Sequence, residues 1–530
     1  MAPRTLAAAL LAGAGLVGVG ALAKLPETVL PIGTDTGMYA TYARLILHGG
    51  RPYVDFYDVH PPLTYYYWAV VEALAGTDWS RTCVGSWGGL LAPQPCISLL
   101  AHGLDLGLTC LAALLAYAIA RRSGERPLVG LLASLFVVWF ADVSMISMEG
   151  SNPTKLTLVP ATLAVYAFMR ARGGHAVSWG WAILSGGAGV LAGLAKQPGL
   201  LTLIALVAYV SPGLFRGGPV AARARQLCLG LAIGAAGMLA VTGLGLWWIG
   251  ALQGFLDEAW VYNAERFLIG YWQTPAGLAS PQTRLDRVAT GAAGLLFLGA
   301  LIGGLALAFG PPRPRQRLLL VWAGFSLVAV GGFREFAQVI PSLALLAALG
   351  IGRVWTAAGR DGLGLGRPIA GRLALVALLG SVFVLSTGFQ VIEMRRAIFE
   401  RGPGARPADP ELIATYLRQV APPGPLFVWG NAGQVYALSG RQPATRFIIA
   451  EFTNTSSPRP DRSRDEAMRD MQANPPAVVV VDPHTDESGL QLSGFPRLAQ
   501  LLAACYQKVA PGADVPNWGV FVQVRPCPVL

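Results

Sequence analysis

The sequence predicts a multi-pass α-helical membrane protein that carries a C-terminal α/β domain outside the membrane. Three observations carry this reading. Hydrophobic residues make up 54% of the 530 positions and charged residues only 13%, where a soluble domain is about one quarter charged; mean hydropathy is +0.51. Apolar stretches as far as position 390 run to about 20 residues, the length a helix needs to cross a bilayer. Arginines collect in every second loop between those stretches, as they do in cytoplasmic loops. The same distribution argues against nucleic acid as a partner. A net charge of +11 divided among short loops makes no continuous binding stripe.

The elements follow in order. Residues 1–24 form a short basic start and an apolar run, read as an uncleaved first span; the Ala-Leu-Ala before Lys24 leaves a cleaved signal peptide open. Further spans are expected near 97–120, 127–143, 154–169, 178–195, 198–214, 226–250, 288–309, 318–332, 338–352 and 371–390. The loops 121–126, 169–175, 215–225, 311–317 and 352–367 are all rich in Arg, whereas the alternate loops hold acids and aromatics. A wrong span count would break that alternation, so the pattern supports about eleven spans. The break at Lys196-Gln197-Pro198-Gly199 separates either two spans or the arms of one re-entrant pair.

Residues 25–96, 251–287 and 391–530 then lie outside. The last segment has three β-type runs, PLFVWG, AVVVVD and GVFVQV, and a charged helix candidate from Asp461 to Gln472, the makings of a small α/β unit. The expected division is a membrane domain over 1–390 and an extracytoplasmic domain over 391–530. Cys83, Cys96, Cys505 and Cys527 all fall in outer segments. They form two disulfides in an oxidising compartment, or remain buried thiols. No CxxC or His-Cys cluster suggests zinc.

The first outer loop carries the densest chemistry. Asp35 precedes a helical pattern from Thr36 to His48, with Met38, Tyr39, Tyr42, Leu45 and Ile46 on one face. A second helix is expected from Leu63 to Ala75 after Pro61-Pro62. Both suit the membrane interface, where tyrosines sit at headgroup level. Between them lie Asp55, Asp58 and His60. A helix cap accounts for Asp35 alone. It does not account for three more ionisable groups gathered where charge is costly to desolvate.

The order Asp35-Thr36-Gly37-Met38-Tyr39, then Ala43-Arg44, then PYVDFYDVHPPL over 52–63, resembles the first outer loop of GT-C superfamily membrane glycosyltransferases. The likeness is greatest to bacterial relatives of the protein O-mannosyltransferases and the lipid A aminoarabinose transferases. SMEGSNPTKLTLVPATLAVYAFMR (147–170), LAKQPG (194–199) and GFREFAQVIPSLALL (332–346) resemble later landmarks of that group. The resemblance implies a polyprenyl-phosphate-linked sugar donor, an envelope glycan, lipid or protein acceptor, and inversion at the anomeric carbon. It implies location in the bacterial cytoplasmic membrane with the C-terminal domain outside, and makes Asp35 the base. One departure stands out: a second acid is expected where Pro153, Thr154 or Lys155 stands, and Glu149 is the acid that remains.

The chemistry fits those residue types. A hydroxyl acceptor needs a carboxylate to take its proton. A departing phosphate needs cations aimed at it, for which His60, Lys196 and Arg334 are candidates. Tyr39, Asp55, Asp58, Glu149, Glu265 and Arg266 are candidates for acceptor or sugar binding. Two acids alone make no magnesium site, so no obligatory metal is expected, and a divalent cation stays open. The rival readings are a transporter or flippase, for which matching halves are missing from the sequence, and a non-catalytic envelope scaffold.

Overall fold

The computed structural model describes residues 3–29, 32–79, 81–84, 94–142, 152–173, 176–266, 292–308, 314–328, 337–361, 408–453, 457–483, 492–509 and 517–527, with a few isolated positions. The chain divides into two compact units, each built from discontinuous segments. One comprises Met1–Thr28, His102–Gly243 and Ala279–Ala397; the other comprises Val29–Ala101, Leu244–Leu278 and Ile398–Leu530. The division expected at position 390 was linear, and the structure departs from it. The first outer loop and the segment after Leu244 belong with the C-terminal residues, because their polar and aromatic side chains find partners there.

The first unit is helical. Among the described residues, Cys96–Arg122, Gln197–Leu214, Gly218–Trp248 and Ala337–Thr356 are long and apolar enough to cross a membrane, and Pro127–Asp142 and Trp179–Ala195 are shorter apolar helices. Prolines open Pro127–Asp142 and Pro314–Val328, where a missing N–H costs nothing. These helices are apolar outside as well as inside: Leu114, Leu239, Val241 and Leu298 are more than half exposed. A helix hydrophobic all round belongs in lipid or a large core. Helices Ala292–Ala308 and Ile340–Asp361 approach through Gly303 and Gly350. A Cβ on Gly303 would stand 1.9 Å from the Leu346 carbonyl, the small-residue contact typical of membrane helices. At Lys196 the backbone leaves the helix (φ −154°, ψ 136°) and re-enters through the 3-10 turn Gln197–Gly199, so the break anticipated there is real. The span expected at 371–390 lies almost wholly outside the described residues.

In the second unit, helices Thr34–Leu47 and Leu63–Ala75 pack together. Strands β1 (Thr82–Val84) and β2 (Gln94–Pro95) pair antiparallel, and the Cys83–Cys96 disulfide ties β1 to the first residue of the helix that follows β2. The C-terminal residues form a four-stranded sheet, β3 (Leu426–Trp429), β4 (Val478–Val481), β5 (Tyr506–Val509) and β6 (Gly519–Gln523), in the order β3-β4-β6-β5. Strands β3 and β4 are parallel, and β6 is antiparallel to both its neighbours. The parallel pair needs a crossover, supplied by helices Gln434–Ser439 and Pro460–Ala473. Phe427, Trp429, Met468, Val479, Phe495 and Leu498 build the core, and a second disulfide ties Cys505 to Cys527. The three β-type runs of the sequence became β3, β4 and β6. Strand β5 escaped notice because YQKV follows helix Pro496–Cys505 without a turn residue.

Candidate active site

Helix Thr34–Leu47 starts after Gly33 (φ −80°, ψ 170°), and no side chain caps it. Asp35 therefore stands inside the first turn rather than at the cap, as the sequence had suggested. The helix dipole there favours a carboxylate, and Asp35 is partly buried. Tyr39 is one turn on and shares its face. The Tyr39 hydroxyl lies 3.3 Å from His60 Nε2, and the two rings meet edge to face at 5.5 Å.

His60 is held from three sides. Its Nδ1 donates to Asp58 Oδ1 at 3.0 Å, which fixes the ring beside the Tyr39 hydroxyl, 3.4 Å from Nδ1 and 3.3 Å from Nε2. Its carbonyl accepts from Tyr53 and Tyr65 hydroxyls, each at 2.6 Å. Tyr53 is the one non-glycine residue with positive φ among the described residues (64°); its ring packs on Tyr65 and Phe255. Such a backbone persists only where its surroundings fix it.

Asp58 is fully buried. Oδ1 accepts from Val59 N at 2.6 Å, and the Asp58 N–H donates to Glu258 Oε2 at 3.2 Å. Among the described residues Oδ2 has no hydrogen-bond partner. Asp58 is thus the group that orients His60, and it is not a solvated turn residue. Asp55 is the opposite case: it is exposed and paired with Arg51 at 3.1 Å. Its slight burial opposes ionisation, yet the Arg51 hydrogen bonds hold its carboxyl below the usual range. With Arg51 as its neighbour, Asp55 forms a surface ion pair.

Gly37 of the loop motif has a packing reason. Helix Gln434–Ser439 lies so close that a Cβ at Gly37 would stand 2.2 Å from Gln434 Cα. Nearby, the buried Arg44 donates to the carbonyls of Thr77 (2.9 Å) and Ala437 (3.0 Å). Gly37→Ala is therefore expected to destabilise by about 1–3 kcal/mol, although a helical Ala normally gains up to about 1 kcal/mol over Gly. Thermal unfolding of the full chain measures it, and an unchanged or raised midpoint would contradict this packing.

The loop after Leu244 supplies ties. Its widened turn Phe255–Val261 is π-helical, a form frequent at functional sites. Arg446 donates to Glu258 and to Tyr53 O (2.9 Å). Burial pushes the Glu258 carboxyl up to about 8, while Arg446 and the Asp58 N–H pull the other way. Arg459 clasps Glu265 (2.6 and 2.8 Å) and Asp257 (2.8 Å), and Arg266 pairs with Glu451. Glu265 and Arg266, expected to bind acceptor or sugar, are thus engaged in ion pairs with residues about 190 positions away in sequence. Sequence spacing holds no trace of such partners.

Glu72 is buried beside Trp79, whose Nε1 donates to Oε1 at 3.1 Å. Burial lifts its carboxyl to about 7, opposed by Arg44 and the Trp79 N–H. A carboxyl raised on folding contributes stability that is complete below its unfolded value and is lost as pH rises through the folded one. Wild type should lose stability between pH 5 and roughly 8, and Glu72→Gln should flatten that dependence. Parallel slopes in thermal scans across that window would contradict the assignment.

Of the cationic candidates, Lys196 Nζ donates to Thr154 Oγ1 at 3.0 Å, and Thr154 Oγ1 to Asn152 Oδ1 at 2.9 Å. Lys196 belongs to the first unit and His60 to the second. Arg334 and Glu149 lie outside the described residues. Among the described residues no three His, Cys, Asp or Glu side chains converge as a metal-ligand set.

The sequence reading missed one cluster. Lys155, one of the three positions at which a second acid was expected, is buried and bonds Asp105 Oδ2 and Asp142 Oδ1, both at 2.8 Å. Lys24 pairs with Asp105 and lies 3.6 Å from Asp142 and 3.5 Å from Glu27. The acids are present, on helices Cys96–Arg122 and Pro127–Asp142, and lysines neutralise them. The available signal was Asp105 and Asp142 interrupting apolar spans, since ionisable groups there are rare and paired.

No protein-family model and no curated protein matches the sequence. Solved structures do. The archaeal oligosaccharyltransferase AglB from Archaeoglobus fulgidus, in complex with an inhibitory peptide and a dolichol-phosphate, is similar with a TM-score of 0.58 at 12% identity, over 97% of this chain and 74% of that one. ArnT from Cupriavidus metallidurans in the apo state is similar with a TM-score of 0.55 at 16% identity, over 98% of both chains. ArnT bound to undecaprenyl phosphate gives 0.53 at 16%, over 97% and 98%. Another structure of the Archaeoglobus enzyme holds Zn and sulfate, with a TM-score of 0.52 at 12% identity over 97% and 73%. At such identities the likeness is one of fold, and it spans nearly the whole chain: this protein has the fold of the AglB and ArnT structures.

Proposed function

We propose that the protein is an inverting glycosyltransferase. It moves a sugar from a polyprenyl-phosphate carrier to an acceptor hydroxyl on the outer face of the cytoplasmic membrane. The observation that carries this reading is the first loop. Asp35 sits in a helix's first turn, on one face with Tyr39, which meets a His60 oriented by the buried Asp58. The fold of polyprenyl-phosphate-binding neighbours supports it.

In the proposed reaction, the acceptor O–H gives its proton to the Asp35 carboxylate while its oxygen forms a bond to the anomeric carbon. The bond from that carbon to the phosphate oxygen breaks, and polyprenyl phosphate leaves with the electron pair. Attack from the face opposite the leaving group inverts the configuration. Cations or N–H donors aimed at the phosphate lower the barrier; His60, Lys196 and Arg334 are proposed for this, each from its charge and its outer position. A divalent cation is not required for the proposed proton transfer. Turnover should persist in EDTA, and complete loss with recovery on adding Mg²⁺ or Mn²⁺ would put a metal into the site.

The test is incubation of purified protein with a panel of polyprenyl-phosphate sugars and candidate acceptors. Release of polyprenyl phosphate by wild type, absent in a folded Asp35→Asn variant, is the expected result. Normal turnover in that variant overturns the choice of base.

A further inference from the structure

The first unit contains two neighbouring cavities of about 480 and 830 Å³, within the usual range for ligand pockets. Both are lined by Arg172 and Arg223, so they form one crevice. Arg315 enters the smaller cavity, and Arg216 and Arg317 the larger. The walls between the guanidinia are apolar: Phe168, Met169 and Leu318 on one side, Val210, Leu227 and Val321 on the other. No Asp or Glu is among the described residues that line either cavity.

Among the described residues, three of the arginines donate to neutral oxygens. Arg172 donates to the Tyr209 hydroxyl and lies 5.1 Å from that ring. Arg223 donates to the Arg172 carbonyl at 2.8 Å, and Arg315 to the Arg122 carbonyl at 2.5 Å. The acid of the adjoining loop, Glu125, accepts from Gln316 at 2.8 Å. The side chains come from the loops that the Arg pattern assigns to the inner face. Arg216, Arg315 and Arg317 are exposed, as Arg225 is, and topological bias alone places exposed arginines on that face. It does not explain why Arg172 and Arg223, both half-buried, line the two cavities together against apolar walls.

We propose that this crevice is a second anion site, which takes a phosphate ester on its guanidinia. Planar, multidentate donors match phosphate oxygens, and basic pockets between membrane helices suit anionic headgroups. The same chemistry serves a lipid headgroup, whose chains would follow the apolar wall, or a free phosphate.

The full chain in phosphatidylcholine nanodiscs tests both sources. In one arm phosphatidylglycerol is added at rising mole fraction and bound lipid is counted by native mass spectrometry. In the other, inorganic pyrophosphate is titrated calorimetrically. Saturable binding in the first arm alone identifies a headgroup site, and binding in the second identifies a soluble phosphate; both support the proposal. Arg172→Gln and Arg315→Gln should each weaken binding about tenfold or more, and Arg225→Gln, which lines neither cavity, should leave it unchanged. Arg315 is exposed and donates, among the described residues, to the Arg122 carbonyl at the end of helix Cys96–Arg122, so Arg315→Gln reports even if Arg172→Gln, which loses the Tyr209 contact, fails to fold. Absence of saturable binding in both arms, or equal weakening by Arg225→Gln, overturns the site.

Discussion

Asp35→Asn is expected to lower the rate of polyprenyl phosphate release by about 10²–10⁴, the share a positioned base contributes, and to leave the fold intact. Asn keeps the size and the place in the first turn but takes no proton. Loss of a helix-terminal charge costs only about 0.3–1 kcal/mol, so thermal unfolding should move little. Donor binding should also persist, because the lost interaction belongs to the transition state. The expected signature is a large fall in kcat with KM for the donor nearly constant. A fall in affinity at unchanged kcat would make Asp35 a binding residue and would leave the base unassigned.

Lys155→Met is expected to give the largest loss of stability. Asp105 and Asp142 are both fully buried, and Lys155 touches each at 2.8 Å. Without it, among the described residues, Lys24 is the cation left facing Asp105, Asp142 and Glu27. Breaking a buried ion pair from one side costs about 3–5 kcal/mol, because the partner charge stays desolvated. The triple change Lys155→Met with Asp105→Asn and Asp142→Asn should recover part of the loss, since neutral groups are cheaper to bury. Thermal denaturation in detergent reads both. If Lys155→Met unfolds at the wild-type temperature, the cluster is solvated or otherwise neutralised.

What the sequence made legible follows from range. The apolar helices, the two loop helices and three of the four long strands rest on local periodicity, which fixes a helix better than its ends: Thr36–His48 was expected where Thr34–Leu47 stands, and 226–250 where the helix runs Gly218–Trp248. The two-residue shift at its start removed Asp35 from the cap. Partners distant in sequence were not legible. Arg459 neutralising Glu265 and Asp257, and Arg446 meeting Glu258, join segments about 190–200 positions apart. Lys155 looked like a departure from a motif until its acids appeared on two other helices. Asp55 and Asp58 were alike in sequence; burial alone separates the surface pair from the residue that turns His60. The glycine of the motif at 37 was visible as a letter, and its reason, the backbone of Gln434, was not.

The central claim is that a sugar is cut from its lipid carrier by direct displacement. A single-turnover incubation of wild type with an anomerically pure polyprenyl-phosphate sugar, followed by NMR of the products, tests it most directly. The account predicts one free polyprenyl phosphate for each glycoside formed, with the anomeric configuration inverted. A carrier that crosses the membrane with its sugar still attached, or a glycoside of unchanged configuration, would contradict it.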